Sequence, residues 1–166
     1  AAVDEAVANE LLSAATWLAG HQRIPEAVEF AERALRRIDV IEEYTPKLVK
    51  LCAQLLRVGE LSLVVRYSAY ADAQNAESEL ILELAAMKLT AQLFDQQVMR
   101  DEQARALVAL HADKNADRAS DLLTLTAFYR AERWELQEAR EAIEPVRNLT
   151  EKVTAQTKYK VTTMLE

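Results

Sequence analysis

Ile24-Pro25-Glu26-Ala27-Val28-Glu29-Phe30-Ala31-Glu32-Arg33-Ala34-Leu35-Arg36-Arg37-Ile38-Asp39 is the stretch that decides the fold class. Ile24, Ala27, Val28, Ala31, Ala34, Leu35 and Ile38 recur at the three-and-four spacing of one helical face. Glu26, Glu29, Arg33 and Arg37 fill the other face. Pro25 falls in the first helical turn, where its fixed φ suits the helix and its missing N–H would have no partner anyway. The preceding segment, 3–19, has the same period, and Gly20 is placed to stop it. So short a gap between two helices forces them to fold back antiparallel.

The same unit recurs along the chain. Residues 46–58 read as a helix with Thr45 as N-cap and Pro46 at the first helical position. Gly59 breaks it, and 60–73 reads as its partner. Residues 78–94 and 96–112 form a third pair, and 115–131 with 134–149 a fourth. Pro145 should kink or shorten the last of these, because it lacks a donor and crowds the preceding turn. Thr150 caps a closing helix over 150–165, rich in Thr and Lys, which reads as a polar end cap. The pairs therefore span about 3–39, 45–74, 78–112 and 115–149 within one domain of 1–166.

Composition agrees. Of 166 residues only 2 are Gly and 3 are Pro, so turns are few and short, while 51% hydrophobic residues exclude a disordered chain. The fold class is all-α. No apolar run is long enough to span a bilayer, and the start at Ala1, without Met, lacks the basic and apolar segments of a signal peptide. That start fits a processed, trimmed or engineered chain. One cysteine, Cys52, excludes an internal disulfide and suits a reducing compartment, so the expected location is cytoplasmic. The net charge of −7, with no basic run beyond Arg36-Arg37, sets nucleic-acid binding aside.

The first helices share a motif of large and small residues: Leu11-Ala14-Ala15-Leu18, Leu48-Leu51-Cys52-Leu55, Leu82-Ala85-Ala86-Leu89 and Leu122-Leu125-Thr126-Tyr129. A small residue lets the two helices of a pair approach, and the large ones pack against neighbours. This pattern resembles the tetratricopeptide family, whose unit is a helix–turn–helix of about 34 residues. Ala27 and Ala34, Gly59 and Ala71 stand where that family has small or turn residues, and Trp134 resembles its turn aromatic. Val64 departs from it, as do the missing closing Pro and the Ala15, Cys52, Ala86 and Thr126 that replace its first-helix Gly. The resemblance implies a right-handed α-solenoid with a concave face lined by first helices. The other architecture open at this point is a non-repeating bundle.

Residues that carry chemistry are sparse. His21 and His111 have no partner at metal-ligand spacing, and no Glu-x-x-His pair exists. Cys52 reads as apolar filler. Glu42-Glu43 and Asp101-Glu102 read as solvated helix ends, and Asn148-Leu149-Thr150 as a chance glycosylation match. Tyr67, Tyr70, Trp17, Phe128, Tyr129 and Trp134 read as core or seam residues before binding anchors. The expectation is no enzyme, no cofactor and no metal.

Carrying the family's groove positions onto this chain gives Asn9, Leu12 and Thr16; Val49, Ala53, Leu56 and Arg57; Glu83, Met87 and Thr90; and Leu123, Ala127 and Arg130. What the resemblance implies is an interaction module or chaperone-like scaffold, similar in length and charge to the small acidic secretion chaperones of this kind. Its ligand would be an apolar extended or helical peptide, with acidic residues meeting Arg57 and Arg130. The competing reading of these positions is packing against the end helix or a second copy of the chain. A designed scaffold without a natural ligand is the alternative function, although Cys52, Pro145 and the irregular repeat lengths are not those of an idealised design. A helical-bundle cofactor protein is the third.

Overall fold

The structure, a computed structural model, describes residues 2–38, 41–71, 79–96, 106, 108–109 and 116–149. All regular structure among them is helical. The Cα framework forms two compact units, Ala1–Gln96 and Gln97–Glu166, where the sequence predicts one domain. The proposed end helix, 150–165, and most of 96–112 lie outside the described residues.

The first unit begins with α1 (Ala2–Gly20) and α2 (Ile24–Leu35), packed on each other as an antiparallel pair. Ala27, Ala31, Ala34 and Leu35 are the buried side of α2, as its period predicts, while Ile38 packs on the core beyond the helix end. A short 3-10 turn, Ile41–Tyr44, leads into α3 (Thr45–Arg57). Thr45 is not the N-cap expected of it. Tyr44 holds that position without a side-chain cap, and Thr45 is buried inside the first turn. The partner of α3 is α4 (Leu61–Ser68), which ends in a 3-10 turn, Ala69–Ala71, and is shorter than the 60–73 expected. Then comes α5 (Glu79–Gln96). Close helix packing runs α1 on α3, α3 on α4, and α5 on both α3 and α4, so α3 lies between α1 and α5.

One hydrophobic cluster runs through all five helices, with Leu12, Leu48, Leu51, Leu55, Leu84 and Tyr67 among its side chains. Each buried Leu contributes about 1.5–3 kcal/mol relative to exposure. Arg66 of α4 reaches Glu32 of α2 at 2.8 Å, and Lys47 of α3 donates to Ser13 Oγ of α1 at 2.7 Å.

The second unit holds α6 (Ala116–Glu132) and α7 (Leu136–Leu149), again an antiparallel pair. Ala127, Ile143 and Val146 form one seam, Ala119 and Leu149 another, and Leu123 packs against both. Pro145 does not end α7 early: the helix runs on through it to Leu149. Val146 and Leu149 are both buried beyond the proline, and their burial outweighs the lost hydrogen bond.

The three described hairpins turn in the same way. Gln22, Gly59 and Trp134 each have positive φ (58°, 84° and 62°). The N–H of each bonds the carbonyl three residues back: Ala19, Leu56 and Ala131. The next N–H, of Arg23, Glu60 and Glu135, bonds back five residues to Leu18, Leu55 and Arg130. This is the Schellman arrangement, which satisfies the carbonyls a helix end would otherwise leave unpaired. Arg23, Glu60 and Glu135 then each accept the first N–H bond of the following helix, from Ala27, Val64 and Ala139. The stop of α1 is thus Gln22 and not Gly20, which stays helical. A Cβ added at Gly20 would come within 3.2 Å of the Gln54 side chain.

Aligning the turns fixes the register of the first helices. Leu11, Leu48 and Leu123 become equivalent, as do Ala15, Cys52 and Ala127, all three of the latter buried. The motif read from Leu122 is therefore one residue early. The small residue of the last pair is Ala127, not Thr126.

Candidate partner-binding face

The positions taken for a groove divide into two groups. On α1, Asn9 and Thr16 are half-buried, with Thr16 Oγ1 donating to the Leu12 carbonyl at 2.9 Å. Leu12 itself is wholly buried in the core and lines nothing. On α3, Ala53 and Arg57 are exposed, and Val49 and Leu56 are half-buried with their inner sides against the core. On α5, Glu83 and Thr90 are half-buried, whereas Met87 is 3% exposed and belongs to the core. The Leu82 side chain lies outside the described residues.

In the second unit, Leu123 is half-buried in the seams and Ala127 is buried against Ile143 and Val146. Arg130 is engaged with Glu135 at 2.6 Å. The one-residue slip in the motif explains Ala127: it occupies the helix-contact slot of its pair. Leu12, Met87 and Ala127 are thus corrected from surface to interior. What remains in the first unit is the exposed side of α3, tied to Ser13 of α1 through Lys47, with Asn9 and Thr16 of α1 and Glu83 and Thr90 of α5 half-buried on the two helices packed beside it.

No protein family, curated protein or solved structure matches this chain.

The chemistry of α3 is distinctive, and sequence reasoning overlooked part of it. Thr45–Arg57 carries Lys47, Lys50 and Arg57 and no acidic residue, in a chain of net charge −7. The signal was present as a charge count per helix. Pro46, Lys50, Ala53 and Arg57, spaced by four, three and four, form the exposed stripe of the helix. Arg57 donates to the Gln54 side chain, and Lys47 to Ser13. Among the described residues no carboxylate pairs with any of the three cations.

Burial shifts two titratable groups inside the first unit. Burial pushes the Cys52 thiol up to about 12, which keeps it protonated and unreactive at neutral pH. Burial likewise raises the Tyr67 hydroxyl to about 12, with the Glu32 carboxylate adding to the shift and Arg66 opposing it. His21 sits in the α1–α2 turn, its Nδ1 2.8 Å from the Trp17 carbonyl and its ring 4.0 Å from the Trp17 ring. Among the described residues no three His, Cys, Asp or Glu are grouped to hold a metal ion. No described helix is long and apolar enough to cross a membrane. His111, Asp101, Glu102 and Thr150 lie outside the described residues, as do the side chains of Glu42 and Asn148.

The aromatics expected in seams divide too. Tyr67 is buried in the core, but Trp17 is 57% and Trp134 85% exposed, and Phe128 and Tyr70 also reach solvent. Tyr129 lies under the Arg133 guanidinium at 4.4 Å.

Proposed function

We propose that the chain is a protein–protein interaction module, a tetratricopeptide-like stack of helix pairs that holds a peptide or helix of another protein along the solvent side of its first helices. The observation that carries this reading is the one turn used three times, at Gln22, Gly59 and Trp134, intervals of 37 and 75 residues. A fixed turn at multiples of one period is what a repeated hairpin requires. The side-by-side packing of α1, α3 and α5 supports it, since stacked pairs offer their first helices as one continuous surface.

The alternative of a designed scaffold is weakened by three features. Gln22 and Trp134 occupy a left-handed conformation that an idealised backbone reserves for glycine, and Pro145 lies inside α7.

Phage-displayed peptide selection against the intact chain tests the proposal, with Ala53→Gln as the discriminating variant. Ala53 is exposed, and glutamine is a good helix former, so the variant keeps its fold. The added bulk on the middle of the strip should weaken selected peptides by roughly tenfold, comparable to losing one good interface contact. Unchanged affinity in the folded variant would move the binding surface elsewhere, and a selection that yields no binder would oppose the module itself.

A further inference from the structure

We infer that the solvent face of α3 docks an acidic peptide segment through Lys47, Lys50 and Arg57. The inference rests on the interaction-module reading above and assigns the partner its charge. The carboxylates of this chain outnumber its cations, 27 to 20, yet none of those described pairs with these three. Elsewhere in the same unit Arg23, Arg33 and Arg66 pair with Glu26, Glu29 and Glu32, while Arg37 donates to the Arg33 carbonyl. Within α3 no acid was available from the sequence, and the half-buried candidates on the helices beside it are Asn9, Ser13 and Thr16 of α1 and Glu83 and Thr90 of α5. Of these only Glu83 is an acid, and it forms no ion pair with the three cations.

The donors that remain are specific in number and place. Lys47 spends one N–H on Ser13, at 2.7 Å, which pins its ammonium at the border of α1 and leaves two donors. Lys50 is exposed and makes no hydrogen bond or ion pair among the described residues. Arg57 gives one N–H to Gln54 and keeps the rest of its fork. Lys50 and Arg57 stand two turns apart, about 10.5 Å along the helix axis at 1.5 Å per residue. An extended peptide covers that span in about three residues at 3.3 Å each. Ala53 between them leaves room for the backbone, while Val49 and Leu56, half-buried on one flank, suit the apolar side chains between acids.

A peptide fits this face better than a nucleic acid. Three cations act within a Debye length of about 8 Å. A polyphosphate running beyond them would meet the field of a chain with net charge −7. A short segment with two or three carboxylates is confined to the favourable strip.

The test uses a fluorescein-labelled peptide alternating Glu with Leu, its counterpart alternating Gln with Leu, and a short oligothymidylate, each titrated by anisotropy against the full chain. Lys50→Glu/Arg57→Glu serves as the variant, its helicity checked by circular dichroism. Both side chains are exposed and outside the core, so the fold should stay. The Glu peptide should bind, lose at least about tenfold in affinity on charge reversal, and weaken as salt rises toward about 0.3 M. Equal binding of the Gln peptide, unchanged by reversal, would overturn the acidic partner while leaving the peptide-binding module standing. Failure of the Glu peptide to bind, or a preference for the oligothymidylate, would also overturn it.

Discussion

A left-handed backbone is nearly free for glycine and costs a side-chain-bearing residue about 1 kcal/mol or slightly more, because Cβ crowds the following carbonyl. Of the three turn residues here only Gly59 escapes that cost. Nothing lies within 4 Å of a Cβ built there, so Gly59→Ala should lose about 1 kcal/mol from backbone strain alone. Gln22→Gly and Trp134→Gly should move the other way by a similar amount. Trp134, at 85% exposure, gives up almost no packing in the exchange. Urea midpoints followed by circular dichroism would read all three, and equal signs for the glycine and non-glycine positions would refute the shared-turn account. This is also why the turns were only partly legible. Gln22 and Trp134 are ordinary residues chosen by the fold around them, so Gly20 attracted the reading that belonged two residues later.

At the scale of the element, amphipathic spacing is legible where one face alone is buried. Both α2 and α3 bury a single side and start where their periods place them, within a residue. The run Leu122-Leu123-Thr124-Leu125-Thr126-Ala127 offers apolar candidates in adjacent frames, and only the hydrogen-bonded turn at Trp134 decides between them. Pro145 shows a local rule losing to burial. Its ring crowds the turn before it and its nitrogen donates nothing, a cost of about 3 kcal/mol inside a helix. Against this stand Val146 and Leu149, each buried and each contributing about 1.5–3 kcal/mol. Because Pro145 is itself exposed, Pro145→Ala removes the cost without disturbing the seam. After the greater chain entropy of the unfolded variant is deducted, the gain should be about 2 kcal/mol, seen as a higher melting temperature by circular dichroism. A lower melting temperature would mean that the proline holds α7 in a bend its packing needs.

On the scale of the whole molecule, a succession of antiparallel pairs was readable, but the side of each first helix that meets water was less so. Both α1 and α5 are apolar around much of their circumference, and each packs on more than one helix. Positions such as Leu12 and Met87 therefore pass from an imagined surface into the core. That core spans five helices as one cluster, so a charge created inside it acts on the unit as a whole. Cys52 lies in its middle, and burial lifts its thiol from the ordinary 9.0 to about 12. Neutral in the folded chain and ionised in the unfolded one, the thiol contributes stability that is fully present below pH 9.0 and lost as pH climbs toward 12. The slope is about 1.4 kcal/mol per pH unit, or about 2 kcal/mol by pH 10.5. The raised Tyr67 hydroxyl acts in the same direction from about pH 10 upward. In Cys52→Ala the thiol contribution vanishes, and alanine suits the slot, as Ala15 and Ala127 do in the equivalent places. Urea unfolding at pH 7.5 and about 10.5 should therefore show the parent losing about 2 kcal/mol more than the variant. Parallel losses in the two proteins would mean that water reaches the thiol and that the central cluster is looser than its packing implies.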